Sequence, residues 1–210
     1  MTNNVWNWNI DRFLAESASS APTPGGGSVS AYVASLAASM VCMVANLTFG
    51  KEKYKTVEPE VTIILKAANE CLNDLKIGLT RDMDVFGNFM GVFKLPKDTE
   101  EQKIFRKENL QKVLREATES PLDVARKSLE VLKLAERLAP IGNKGAISDV
   151  GVAAYLAESA LKSAMLSVEI NLPQIRDESY KNRVLEERGK MMATASIILQ
   201  KTMKVVKERL

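Results

Sequence analysis

The sequence predicts an all-α protein: a single-domain helical bundle over residues 1–210, with two small-residue helices at its centre and longer amphipathic helices outside. Three observations lead there. Apolar residues recur at steps of three and four along most of the chain, which is the period of one helix face. Two stretches rich in alanine and serine, 28–50 and 150–171, are each entered from a glycine loop. No stretch shows the period-two alternation, flanked by hairpin turns, that marks a strand.

The first helix is short. Asn9 is placed to cap Ile10–Ala18, with Phe13 and Leu14 apolar. Pro22, Pro24 and three glycines then form a turn. Ser28 sits where an N-cap is expected, ahead of a helix running to Gly50. No charged residue occurs from Ser17 to Gly50, so this helix must be buried, in protein or in lipid. Its scattered serines and scarcity of Leu, Ile and Phe favour close packing in a protein core or a subunit interface over a membrane span.

Gly50 and the lysines after it stop that helix. A long one begins near Glu58-Pro59, with Val61, Leu65, Ala68, Leu72, Leu75, Leu79, Phe86 and Phe89/Met90 on one face. The missing member of that series is position 82, an aspartate. Asp84, about 200° further round, faces out, and Arg81 also lies off the seam. Leu95–Thr99 is a turn, with Asp98 or Thr99 capping the next helix. Ser120-Pro121 is expected to kink or break it, leaving Leu122–Leu138 as a second segment. After the Gly/Pro loop 139–145, Ser148-Asp149 opens the second small-residue helix, Val150–Asn171. Leu172-Pro173 ends it, and a last helix spans about Gln174–Glu208, with Ile175, Leu185, Met192, Ala195, Leu199 and Val206 apolar.

Composition narrows the chemistry. A hydrophobic content of 46% supports a substantial core, and mixed charges with a net +3 do not demand nucleic acid as a partner. The polar Met1–Ile10 does not read as a signal peptide. Cys42 and Cys71 fall in apolar helical patterns and read as buried free thiols in a reducing, cytoplasmic setting. The chain has no histidine. That excludes Ser-His-Asp and Cys-His catalysis and histidine-bearing zinc sites, and two cysteines cannot hold zinc alone, so no metal site is expected. Any proton transfer must come from Asp, Glu, Lys, Tyr or Cys.

Asp82 is the strongest candidate from pattern alone. Burial among apolar neighbours raises a carboxyl pKa and suits it to passing a proton near neutrality. An ion pair with a neighbouring helix accounts for the same position equally well. Gly25, Gly26, Gly27 and Ser28 present backbone N–H groups at a helix start, either as an anion-binding feature or as a tight turn for close packing; they lack P-loop and dinucleotide spacing. Lys51 reads locally as an exposed connecting lysine. Asn143, Ser148 and Asp149 bracket the second glycine loop, with Asp149 locally a helix-start residue.

Several separated motifs carry a further likeness. PTPGGGSVSAYVASLAASMVCMVANLTFGKEKY, DMDVFGNFMGVFKLPKDTEEQK, SPLDVARKSLEVL, GNKGAISDVGVAA and NLPQIRDESY occur in order across nearly the whole chain. Together they resemble the cyclodeaminase/cyclohydrolase family of tetrahydrofolate enzymes. The resemblance implies an all-helical homodimer acting on a one-carbon-substituted tetrahydrofolate, with no tightly bound cofactor, nucleic acid or membrane partner. It implies Asp82 as the catalytic acid/base. It also implies Gly25, Gly26, Gly27, Ser28, Lys51, Asn143, Ser148 and Asp149 as substrate-binding positions. The family usually has an aspartate where this chain has Thr80. The implied reaction is hydrolysis of 5,10-methenyltetrahydrofolate to 10-formyltetrahydrofolate. The alternatives are cyclodeamination of 5-formiminotetrahydrofolate with release of ammonia, and a non-catalytic folate-binding or assembly role in which Asp82 is structural.

Overall fold

The computed structural model describes residues 4–210; the first three residues of the polar N-terminal stretch lie outside the described residues. The described residues form six α-helices: α1 (Ile10–Ala18), α2 (Gly26–Thr48), α3 (Glu58–Val92), α4 (Glu100–Leu138), α5 (Ile147–Asn171) and α6 (Glu178–Arg209). Short 3-10 turns at Val5–Asn7, Glu52–Val57, Lys144–Ala146 and Leu172–Gln174 join or precede them, and no strand occurs among the described residues.

Side-chain caps start α1, α4 and α6, whereas α2, α3 and α5 begin without one, α3 with Pro59 in its first turn. Asn9 accepts the Arg12 amide at 2.8 Å and starts α1. Thr99 starts α4 through a reciprocal capping box with Gln102. Ser28, predicted as a cap, lies inside the first turn of α2, and the cap position is Gly25, which offers no side chain. Ser148 is likewise no cap: α5 begins at Ile147 behind Ala146. Both serines follow a glycine-rich loop closely, but the backbone turns helical before reaching them.

α2 to α5 form a four-helix core, each antiparallel to its sequence neighbour, and α6 packs against α4 and α5. The two small-residue helices are central, as predicted. Ala31, Ala34, Ala37, Ala38 and Ala45 of α2 and Ala153, Ala154, Ala157 and Ala164 of α5 have no exposed surface. Alanine at these positions lets the backbones approach closely, and larger neighbours such as Leu114, Leu122, Leu132 and Leu161 fill the remaining space. α2 is long and apolar enough to cross a membrane, with a mean hydropathy of 1.7, but 61% of that window is buried against its own fold. Cys42 and Cys71 are free and buried. Burial, with Glu130 nearby, pushes the Cys71 thiol up to about 12, so it stays protonated.

Pro121 does not break its helix: α4 runs unbroken from Glu100 to Leu138. Packing on both sides holds the segment helical despite the missing donor. In α6 the predicted Ala195 and Val206 are buried, while Val184, Met191 and Ile198 are buried in place of the neighbouring Leu185, Met192 and Leu199. The helix begins later than predicted, behind the Asp177 cap on the Tyr180 amide. Arg126 of α4 ties it down with a bidentate pair to Glu187 at 2.6 and 2.8 Å, its guanidinium steadied by Asp123 of its own helix at 2.6 Å.

Candidate active site

The buried stripe of α3 runs through Val61, Ile64, Ala68, Cys71, Leu75 and Leu79 and then reaches Asp82 before Val85. The carboxylate is therefore delivered to the core side by the same periodicity that packs the leucines. It meets the first turn of α2. The Ser28 hydroxyl donates to Asp82 Oδ2 at 2.6 Å, and the Ser28 backbone N–H also faces the carboxylate. Gly27 makes that approach possible. A methyl group built on it would fall within 2.8 Å of both Asp82 Cγ and Oδ2, closer than real side chains pack.

Burial pushes the Asp82 carboxyl above the usual carboxylate range, and the Ser28 hydroxyl and amide partly offset this by bonding to the charged form. The helix start itself favours negative charge. No cation pairs with Asp82 among the described residues, so the ion-pair reading of this position is not what the structure shows. The group faces a cavity of about 180 Å³ lined by the Pro22–Gly27 turn, Val85, Phe86, Phe89, Pro121 and Asn171. That is below the ~300–1,000 Å³ of typical ligand pockets. It admits a small ring and leaves a longer molecule to extend outside. Thr80 lines a different groove, against Val5 and Trp6, so the position where the family usually carries an aspartate does not border this cavity.

The predicted site residues divide into two groups. Gly25, Gly26 and Gly27 line the cavity with Asp82, and Ser28 bonds to it. Lys51, Asn143, Ser148 and Asp149 lie at the opposite end of α2, which is about 33 Å long at 1.5 Å per residue. Asn143 is engaged there in holding the second loop to the end of α2. Its Nδ2 donates to Leu47 O at 2.8 Å, its backbone N–H to Thr48 Oγ1 at 2.8 Å, and its Oδ1 accepts the Gly145 amide at 3.0 Å. Lys51 and Ser148 are exposed, and Asp149 is half-buried in the first turn of α5. Within one chain, a single small molecule cannot touch both groups.

Other cavity residues were not singled out from sequence. Phe86 and Phe89 supply its apolar wall, with ring centroids 6.1 Å apart. Asn171 closes α5 and donates to the Ala117 and Ser167 carbonyls at 3.0 and 3.1 Å. A polar amide ending an alanine-rich helix, and a proline inside an apolar helical pattern, were the available signals.

Comparison with known proteins agrees with this architecture. The family model described as formiminotransferase-cyclodeaminase matches residues 9–190. A protein named methenyltetrahydrofolate cyclohydrolase from Methylorubrum extorquens is 37% identical over 203 residues, covering 97% of this chain and 98% of its own. The formimidoyltransferase-cyclodeaminase of Gallus gallus is 32% identical over 185 residues, covering 85% of this chain; the match spans 34% of that longer relative. The crystal structure of formiminotetrahydrofolate cyclodeaminase from Thermotoga maritima matches with a TM-score of 0.87 at 32% identity, covering 97% of this chain and 98% of that one. A family match over most of its length, and a relative aligned nearly end to end, place the chain in the formiminotransferase-cyclodeaminase family.

Proposed function

We propose that this chain is a methenyltetrahydrofolate cyclohydrolase in which residues 1–210 act as one catalytic domain in the cytoplasm. The observation that carries the reading is Asp82: an acid of raised pKa, bonded to Ser28 under a glycine-opened helix start, facing a small apolar cavity. Similarity to the Methylorubrum extorquens protein over both full lengths supports the choice of reaction.

The chemistry fits a chain without histidine. Water adds to the electrophilic methenyl carbon while Asp82, ionised, takes its proton. The tetrahedral adduct is neutral. Its hydroxyl then loses a proton, the bond from that carbon to N5 breaks, and Asp82 returns its proton to N5. The product is 10-formyltetrahydrofolate, with one proton released overall. Val85, Phe86 and Phe89 keep bulk water from the acid, and the raised pKa lets it act as base and then as acid near neutrality.

A homodimer accounts for the division of the implied pocket residues. Val29, Leu36 and Leu47 are exposed on α2, with half-buried Val33, Met40 and Met43 between them, giving an outward stripe at alternating steps of four and three. On α5, Val152, Tyr155, Leu166 and Ile170 are exposed in the same manner. Two adjacent antiparallel helices thus present an apolar face suited to a second copy. A two-fold axis through that face and perpendicular to α2 would set the Lys51–Asn143–Asp149 end of one protomer opposite the Asp82 end of the other.

Cyclodeaminase activity is the second reading, favoured by the fold match to the Thermotoga maritima protein of that name. There N10 attacks the formimino carbon, ammonia leaves, and the same acid moves the proton. Purified protein separates the two: decay of the methenyl absorbance indicates the hydrolase, and ammonia released from 5-formiminotetrahydrofolate indicates the deaminase.

A further inference from the structure

Pro121 sits inside α4, where it has no amide hydrogen to give. The carbonyl that should receive that hydrogen is Ala117, one turn earlier, and both residues line the Asp82 cavity. A backbone carbonyl left without a donor in such a place is costly. Asn171 supplies the missing donor: its Nδ2 bonds to Ala117 O at 3.0 Å and also to Ser167 O at 3.1 Å. An amide nitrogen carries two hydrogens, so both are now used. Turning the amide over would set its oxygen against two carbonyl oxygens, so its orientation is fixed by chemistry.

The consequence lies at the other end of the amide. Asn171 Oδ1 accepts no hydrogen bond among the described residues, and it is not one of the buried side-chain atoms sealed without a partner. Asn171 borders the same small cavity as Asp82. The wall there is otherwise mostly apolar, with Val85, Phe86, Phe89 and Ile170. A fixed acceptor in such a wall selects one edge of an incoming ring.

We propose that Asn171 Oδ1 binds an N–H on the edge of the reduced pteridine and orients that ring over Asp82, and that Pro121 frees the carbonyl that holds the amide in this attitude. The inference rests on the folate reading above and names the group that recognises the substrate's heterocycle. Because the amide is already locked, it accepts the hydrogen bond without reorganising, which favours affinity.

The test separates the two ends of the side chain. Asn171→Ala removes the donor and the acceptor together. Pro121→Ala restores a backbone N–H to Ala117, so Pro121→Ala/Asn171→Ala lacks only what the backbone cannot replace. Thermal midpoints, kcat and KM for 5,10-methenyltetrahydrofolate, and calorimetric Kd for 5-formyltetrahydrofolate are measured for the wild type and the three variants. Asn171→Ala is expected to lose a few degrees of Tm. The double variant is expected to regain the Tm of Pro121→Ala, while its Kd and KM stay about tenfold above those of Pro121→Ala, the loss of one ordinary hydrogen bond. Its kcat stays within about twofold, as a group that positions without moving protons requires. Kd and KM that return with the Tm overturn the proposal, leaving Asn171 a structural tie. So does a fall in kcat with Kd unchanged. A double variant that regains neither property overturns it too, because the Ala117 carbonyl would not then be what holds the amide. Wild-type protein that binds no folate removes the functional reading itself, an outcome distinct from these.

Discussion

The Ser28 hydroxyl donates to Asp82 Oδ2 at 2.6 Å across the contact between α2 and α3. The acid is therefore held by the first turn of a neighbouring helix, where backbone amides lack helical partners and favour negative charge. Burial opposes ionisation and this turn promotes it, with burial the larger effect.

That balance makes Asp82 a stability liability at neutral pH. Its folded-state pKa is raised, so folding favours the protonated form; the favourable contribution is complete below the unfolded pKa and is lost as pH rises through the folded one. Asp82→Asn is expected to melt above the wild type at pH 7–8, with the gap closing as pH falls toward the ordinary range for aspartate. Thermal scans across that range check it, and a variant that melts below the wild type at neutral pH contradicts it.

Ser28→Ala is expected to move the acid limb of the kcat/KM profile to higher pH. The lost hydroxyl had stabilised the carboxylate, so the pKa of Asp82 rises further and a higher pH is needed to generate the base. An unmoved limb would mean that some other group sets the profile.

Gly27→Ala is expected to displace the carboxylate, because the new methyl group lands on Asp82. A misplacement of about 1 Å costs on the order of a hundredfold in rate. Gly26→Ala should lose less, since its added methyl meets only Ser167 Oγ at 3.7 Å, an ordinary contact. Steady-state rates for the two variants rank them directly.

Leu36→Glu places a charge in the middle of the outward stripe of α2 without touching the cavity. If that face carries the dimer, sedimentation should show monomers and activity should fall with dimer content. A monomeric variant with full turnover would detach the second glycine loop from the reaction.

The sequence made some of this legible and hid the rest for physical reasons. Asp82 could be found because a carboxylate interrupting a leucine series breaks the helix period visibly, and α2 and α5 because alanine-rich, charge-poor stretches have nowhere to go but inside. The cap on α1 was readable from Asn9 alone. Ser28 was misassigned because the glycines turn helical three residues earlier than a cap at Ser28 requires. Pro121 looked like a break because its compensation comes from Asn171, fifty-four residues away from the carbonyl it serves. Ala195 and Val206 of α6 were legible, but at adjacent apolar pairs such as Val184-Leu185 and Met191-Met192 the buried member stays undecided until the neighbouring helices are in place. The separation of Asn143 from Asp82 needed the antiparallel path of α2, which no local pattern reveals.

The most direct test is the turnover of Asp82→Asn with 5,10-methenyltetrahydrofolate, followed by the loss of methenyl absorbance, with circular dichroism confirming the helical fold. No other acidic side chain among the described residues lines this cavity, so kcat is expected to fall by roughly 10²–10⁴-fold, the usual contribution of a positioned acid/base. Turnover within a few-fold of the wild type would contradict the assignment of Asp82.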